Sequence, residues 1–316
     1  MDINLFTPHG TVSQRSFIDA NGLTTEDIFE IMHRARLLKS QAKFGERVSF
    51  LQGKVIAAIT DVPSVRTKAA LELAVKKAGG DIVYIATHEE RRRSGESLFD
   101  IVHSLEVYGF DAFIVHLSDQ SELERMVSQS KKPFICGLSD TNNPTQVMAD
   151  LFTIWEKKGR LDGWKIAYLG RPTGILNSLL VASTKCGASV SVACPRDRFP
   201  EKRFVDSALQ YGEVFLTEDP KEAVRGADVV YTEGYTDLEP DAREKEAEIF
   251  LPYRVTEELL SLSKPDVIFM HRMPVYRGLE VDENVAFGPR STVLTQTENR
   301  LYVLQALLSL FTVQRQ

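Results

Sequence analysis

The spacing of apolar positions changes period in a regular way along the chain. Ile28, Ile31, Met32, Ala35 and Leu38 recur at helical intervals, and Thr24, three residues before Asp27, predicts the cap of that first helix. Short continuous apolar runs then appear at 54–60 (KVIAAIT), 81–86 (DIVYIA), 112–117 (AFIVHL) and 133–138, with helical stretches over 64–78 and 97–108 between them. Asn143-Pro144 opens a further helix to Lys158, since Asn caps and Pro suits a first turn. After the polar stretch 157–163 the pattern restarts, with strand-like runs at 165–170, 189–194, 213–217, 228–232 and 266–270. A last helix is expected over 298–311, with Leu301, Leu304, Leu307 and Leu308 on one face.

Continuous apolar strands alternating with helices mark parallel sheets buried on both faces. The pattern therefore predicts an α/β chain of two doubly wound parallel-sheet domains joined by a bridging helix. Its length of 316 residues agrees with two domains at roughly 150 residues each. In such sheets ligands gather at the carboxyl ends of strands, where loops and helix N-termini offer backbone N–H groups. The segments to search are 61–67, 116–120, 140–146, 170–178, 232–240 and 270–278.

Composition removes several classes of function. With 38 Lys and Arg against 44 Asp and Glu, the net charge of −6 argues against wholesale binding of nucleic acid or an anionic membrane. No apolar run reaches the roughly 18–20 residues that span a bilayer. The start, residues 1–10, lacks the basic and apolar regions of a secretory signal, so a cytoplasmic protein is expected. Cys136, Cys186 and Cys194 are scattered, and the six histidines show no metal-ligand spacing. Neither a metal nor a cofactor is expected, and Gly170 to Gly174 lacks the glycine spacing of a dinucleotide site.

Chemistry concentrates in four ordered segments. Ser64-Val65-Arg66-Thr67 opens a helix after a strand, aiming two hydroxyls, a guanidinium and helix-start amides at one spot, which suits a phosphate. Asn143-Pro144-Thr145-Gln146 starts the bridging helix, His271-Arg272-Met273-Pro274 follows a strand, and Gln296-Thr297-Glu298-Asn299-Arg300 lies near the end. Together they resemble the aspartate/ornithine carbamoyltransferase family, which shows Ser-Thr-Arg-Thr, His-Pro-Thr-Gln, His-Cys-Leu-Pro or His-Pro-Leu-Pro, and a late Glu-Asn-Arg. The landmarks run in order from about residue 15 to 312, and the ending is most similar to the ornithine branch.

The resemblance implies a carbamoyl-phosphate domain over 1–143, joined by the C-terminal helix 297–316 packing back on it, and an amino-acid acceptor domain over 144–296. It implies a homotrimer, or a multiple of trimers, and direct attack of an acceptor amine on carbamoyl phosphate. It further implies that Ser64, Val65, Arg66, Thr67, His116, Asn143, Gln146, Arg272, Met273 and Arg300 hold carbamoyl phosphate. Arg66, His116, Asn143, His271 and Arg272 would act in catalysis, and Gly174, Glu233, Asp237 and Leu238 would hold the acceptor.

Departures from the family pattern alter this expectation. His116 stands where the family has an Arg, Asn143 where it has a His, and Val65 where it has a Thr. Histidine carries a full charge at neutral pH only where its surroundings favour the imidazolium. Arg272 replaces the ornithine branch's Cys, and two readings are open: it restores charge toward the phosphate or the acceptor carboxylate, or it pairs with an acidic neighbour such as Glu233. Gly170-Arg171-Pro172-Thr173-Gly174 stands where the ornithine branch usually has Gly-Asp-x-Asn-Asn, and Glu233 to Leu238 where it has the ornithine-clamping Asp-Val-Trp-x-Ser-Met. A carbamoyltransferase acting on an amino-acid-like amine other than ornithine is the expectation. The alternative is a non-catalytic or altered relative that binds another metabolite or uses another donor. Arg91-Arg92-Arg93 reads either as a solvated run or as an arm to a neighbouring subunit's substrate.

Overall fold

The structure, a computed structural model, describes residues 1–61, 64–86, 95–235 and 238–313. The Arg91 to Arg93 run and Asp237 lie outside the described residues. Two compact units emerge. One, here the N-terminal unit, comprises residues 6–152 with 299–316; the C-terminal unit comprises 153–298 with the first five residues.

The N-terminal unit begins with α1 (Thr25–Lys43), followed by β1 (Val55–Thr60), α2 (Val65–Lys77), β2 (Asp81–Ala86), α3 (Leu98–Tyr108), β3 (Ala112–His116), α4 (Gln120–Gln129) and β4 (Phe134–Leu138). Among the described residues its sheet has the order β2-β1-β3-β4, all parallel. The chain thus steps outward from β1 to β2 and then crosses to the other side of β1. Right-handed crossovers put the helices before and after that reversal on opposite faces of the sheet. On one face, Ala57, Ile59, Phe113, Val115, Phe134 and Cys136 share an apolar core with Leu98 and Val102 of α3 and Leu123 and Met126 of α4, and the Phe113 and Phe134 rings stack at 4.8 Å. Phe17 hydrogen-bonds along the outer edge of β4, donating to Phe134 O at 2.8 Å and accepting from Cys136 N at 2.7 Å. That pairing blunts an edge that would otherwise present open backbone groups.

Helix α5 (Pro144–Lys158) starts in the N-terminal unit and ends in the C-terminal one. There β5 (Lys165–Leu169), α6 (Gly174–Lys185), β6 (Ser189–Ala193), α7 (Lys202–Leu209), β7 (Val214–Thr217), α8 (Pro220–Val224) and β8 (Val229–Glu233) follow. The remaining elements are α9 (Pro240–Phe250), α10 (Glu257–Leu260), β9 (Ile268–Arg272), α11 (Glu283–Ala286) and α12 (Val293–Thr312). This second parallel sheet has the order β7-β6-β5-β8-β9 and reverses at β5. Residues 299 onward of α12 belong to the N-terminal unit, so the C-terminal helix packs back on it. Among the described residues no helix is long and apolar enough to cross a membrane.

Two boundaries differ from the sequence reading. His271 and Arg272, expected in the loop after a strand, are the last residues of β9, because their backbones continue the ladder opposite Thr232 and Glu233. Pairing satisfies backbone groups whatever the side-chain polarity. Helix α12 likewise starts at Val293, five residues before the expected 298, so Gln296 to Arg300 sit inside it.

The first helix is fixed at its start by a capping box. Thr24 Oγ1 accepts from Asp27 N at 3.0 Å, and Thr24 N donates to Asp27 Oδ2 at 2.9 Å. Ser13 adds its N–H at 2.7 Å and its hydroxyl at 2.6 Å to the same carboxylate. Burial pushes the Asp27 carboxyl up, but the hydrogen bonds from Ser13 and Thr24 outweigh it and leave its pKa below the ordinary value. A depressed carboxyl stabilises the fold above its unfolded pKa, and the contribution is lost as pH falls through the folded one. Asp27→Asn is expected to cost about 2 kcal/mol at pH 7. Urea unfolding should show that deficit shrinking as pH falls below ~4, where the carboxylate of the unfolded chain begins to take up a proton, and continuing to shrink until the folded carboxylate is protonated too.

Candidate active site

The reversal of strand order places the first half of the site. Thr60 and His116 are register partners at the carboxyl ends of β1 and β3. From there the chain departs in two directions, and such a split opens a crevice at the sheet's edge. The two departing loops are tied by Asp61, whose N–H donates to His116 O at 3.2 Å and whose carboxylate accepts the Ser118 hydroxyl at 2.6 Å. Helix α2 then starts at Ser64, whose Oγ accepts from Thr67 N at 3.3 Å.

A cavity of about 450 Å³ lies here, bringing together Ser64, Val65, Thr67, His116 and Arg300 among the predicted residues. Arg300 reaches it from α12 and donates from Nη2 to Thr67 Oγ1 at 3.2 Å. Its neighbour Asn299 is fully buried and accepts from the Lys39 ammonium of α1 at 2.6 Å, which holds this stretch of α12 against the unit. Thr67 and His116 are buried, whereas Val65 exposes 87% of its surface. Arg66, Asn143 and Gln146 are not among the cavity's lining residues. Arg66 is exposed; Gln146 turns its amide along α5 to Asp150 Oδ1 at 2.9 Å. Asn143 is buried, and its carbonyl accepts from Val147 N in the first turn of that helix. Lys68 and Tyr84, which the sequence did not single out, line the cavity as well.

The second half follows the same rule in the C-terminal unit. Leu169 and Thr232 pair at the split between β5 and β8, and Thr232 Oγ1 donates to Leu169 O at 2.7 Å. Gly174 opens α6 behind the cap Thr173. Glu233 and Arg272 are register partners on β8 and β9, and their side chains approach to 3.8 Å. Of the two readings left open for Arg272, pairing with Glu233 is the one this geometry matches. His271, one residue earlier, is fully buried and meets Glu280: Nε2 and Oε1 are 2.9 Å apart. Its backbone N–H donates to Gln296 Oε1 at 3.0 Å. Met273 joins Pro274 through a cis peptide bond.

Several residues around this half escaped the sequence reading. Tyr276 N donates to Glu280 Oε1 at 2.7 Å, and a Cβ on Gly234 would come within 2.7 Å of the Tyr276 ring, so only glycine fits beside Glu233. Arg243 on α9 stacks over Tyr276 at 4.6 Å and donates to the carbonyls of Tyr235 and Leu238 at 3.3 and 3.0 Å. Burial and the negative charge of Glu280 hold the Tyr235 hydroxyl well above the ordinary phenol range. The one local signal was a charged residue, Glu280, inside the run Leu279-Glu280-Val281, and its burial is invisible in sequence.

Comparison with known proteins agrees with this two-part layout. The carbamoyl-P binding domain model of aspartate/ornithine carbamoyltransferases matches residues 15–156, and their Asp/Orn binding domain model matches residues 162–311. An anabolic ornithine carbamoyltransferase of Pyrococcus furiosus is 36% identical over 95% of this chain and 97% of its own. An ornithine carbamoyltransferase of Caldicellulosiruptor saccharolyticus is 36% identical over 93% and 97%. The solved ornithine carbamoyltransferase of Pyrococcus furiosus superposes with a TM-score of 0.91 over 96% of this chain and 98% of that one, at 36% identity. That of Thermus thermophilus gives 0.85 over 95% and 99%, at 32% identity.

These relatives overturn the expectation of an acceptor other than ornithine. That expectation rested on changed motif spelling, but the change from Asp to Glu at 233 keeps a carboxylate at the carboxyl end of β8. With both domain models matched and near-complete coverage by such relatives, the chain belongs to the aspartate/ornithine carbamoyltransferase family.

Proposed function

We propose that this protein transfers the carbamoyl group of carbamoyl phosphate to the δ-amine of ornithine, giving citrulline and phosphate. The observation that carries the reading is the anion-suited cavity at the β1/β3 split, with Arg300 bonded to Thr67, in a chain 36% identical to an ornithine carbamoyltransferase over 95% of its length. In this reading residues 1–143 with 297–316 bind the donor, and 144–296 bind the acceptor. The α2 amides, Ser64, Val65, Arg66, Thr67 and Arg300 take the phosphate. His116, Asn143 and Gln146, with the backbone of Arg272 and Met273, attend the carbamoyl group, while the Arg272 guanidinium stays with Glu233. Gly174, Glu233, Asp237 and Leu238 hold ornithine, with His271 supporting that side.

The chemistry asks for orientation and charge stabilisation. The neutral δ-amine attacks the carbamoyl carbon, the C–O bond to phosphate breaks, and the nitrogen loses a proton as the phosphate departs. Fixed donors at the departing phosphate act in the transition state more than in the ground state, because negative charge grows there. Buried carboxylates such as Glu233 suit an acceptor that arrives as a cation. We further propose a homotrimer working in the cytoplasm; sedimentation of the purified chain tests the trimer and cell fractionation the location.

Incubation with carbamoyl phosphate and ornithine should yield citrulline and phosphate in equal amounts. Turnover with aspartate but not ornithine, or phosphate release without citrulline, would count against the reading. Two substitutions separate the halves. Arg300→Ala should lower kcat/KM roughly 100-fold or more through the donor, as loss of one preorganised donor does. Glu233→Gln should raise the KM for ornithine about tenfold while leaving carbamoyl phosphate affinity in place, as measured by initial rates and calorimetry.

A further inference from the structure

The face of α2 that meets the cavity carries more than the Ser-Val-Arg-Thr motif. Ser64, Thr67, Lys68 and Leu71 all line the cavity, and they stand at positions i, i+3, i+4 and i+7 of one helical stripe. Lys68 sits one turn above the cap, with its N–H donating to Ser64 O at 2.9 Å. Helical side chains lean toward the N-terminus of their helix. A lysine one turn in therefore leans back over the first turn, where an anion meets the open amides. Arg66, two residues earlier, falls off this stripe and is exposed.

Tyr84 fixes where that ammonium goes. It stands on β2 opposite Ala58 of β1, and both residues line the same cavity. Its hydroxyl donates to Lys68 O at 2.7 Å, and its ring centre lies 4.8 Å from the Lys68 ammonium. Burial, helped by the charge of Glu72, pushes the Tyr84 hydroxyl up to about 12, so it remains a donor across the physiological range. One residue thus holds both the backbone and the charge of Lys68, and an ammonium over an aromatic face needs fewer ordered waters to stay in place.

The charge balance of the cavity gives this arrangement a use. Among the described residues its lining cations are Lys68 and Arg300, with His116 at the position where the resemblance leads one to expect an arginine. Arg272, the other candidate for restoring that charge, lies against Glu233. We propose that Lys68, steered by Tyr84, is the second fixed cation of the donor-phosphate site, supplying from α2 the fixed charge that an arginine at position 116 would have brought. The assignment rests on the reading of this cavity as the carbamoyl phosphate site. An ammonium brings three donors on a flexible stem, so it can follow the phosphate as the C–O bond lengthens.

The test is calorimetric titration of the full chain with carbamoyl phosphate and, separately, inorganic phosphate, beside citrulline assays. Lys68→Met should weaken both anions about tenfold or more, the usual effect of losing one charge-assisted contact. The KM for ornithine should stay put, a split that general damage to the fold would not produce. Lys68→Arg should recover most of the lost affinity. Tyr84→Phe, which keeps the ring, should weaken binding less than Tyr84→Leu, which removes it. Unchanged phosphate and donor affinity in Lys68→Met, in a wild-type chain that binds both and makes citrulline, would overturn the role of Lys68 alone. A wild-type chain that binds neither anion would overturn the donor-site reading and this assignment with it.

Discussion

The donor half of this protein depends on the parting of β1 and β3. Two parallel strands stay paired up to Thr60 and His116, and the chain then leaves in two directions. Parallel pairing forces every connection to return to the same end of the sheet, so the carboxyl edge collects all the helix starts. Packing cannot close the gap where the crossovers diverge. Asp61 instead ties the two loops with hydrogen bonds to His116 and Ser118, which keeps the crevice open while satisfying its backbone groups. The same logic recurs at β5 and β8, where Thr232 ties the edge through Leu169 O.

A crevice needs a wall of fixed charge, and here it comes from the far end of the sequence. Arg300 is useful only if α12 is held in register, and the neighbouring Asn299 does this through Lys39. The Lys39 ammonium is buried, lies 5.7 Å from the Phe152 ring and 5.9 Å from the Tyr302 ring, and so has both an acceptor and aromatic faces around it. Burying an ammonium is costly unless such partners are in place. The capping box at Thr24 and Asp27 therefore matters beyond α1 itself: it fixes the helix that carries Lys39, which in turn positions the helix that carries Arg300.

The sheets were legible in sequence because strands buried on both faces are continuous apolar runs, and eight of the nine expected runs end within a residue of the strand they predict. The one that misses, at β9, misses because His271 and Arg272 are polar residues that continue the pairing, as Glu233 does for one residue at the end of β8. Hydropathy reads side chains, whereas the ladder is made of backbone. The ordered motifs pointed to the right strand ends. They did not reveal Tyr84, Glu280 or Arg243, whose importance comes from contacts between elements far apart in sequence. The acceptor expectation failed for a related reason. It weighed the spelling of the motif above its charge, and Glu in place of Asp leaves the charge unchanged.

The position of Arg272 follows from the energetics of buried ions. A guanidinium that is 17% exposed beside a carboxylate that is 4% exposed has lost most of its water. Removing either partner from such a pair leaves an uncompensated charge, commonly at a cost of about 3–5 kcal/mol, while the intact pair contributes little on its own. Arg272 is thus held to its own sheet by the cost of stranding Glu233, so it is poorly suited to supply charge elsewhere. Glu280 and His271 form a second close buried contact one residue away, at 2.9 Å. At the ends of β8 and β9 the Glu233 carboxylate is balanced by Arg272, whereas the cavity of the N-terminal unit is lined, among the described residues, by Lys68 and Arg300 and no carboxylate. A site of the first kind suits a zwitterion whose two charges exchange with those of the pair. A site of the second kind suits a phosphate, whose own charge supplies the balance.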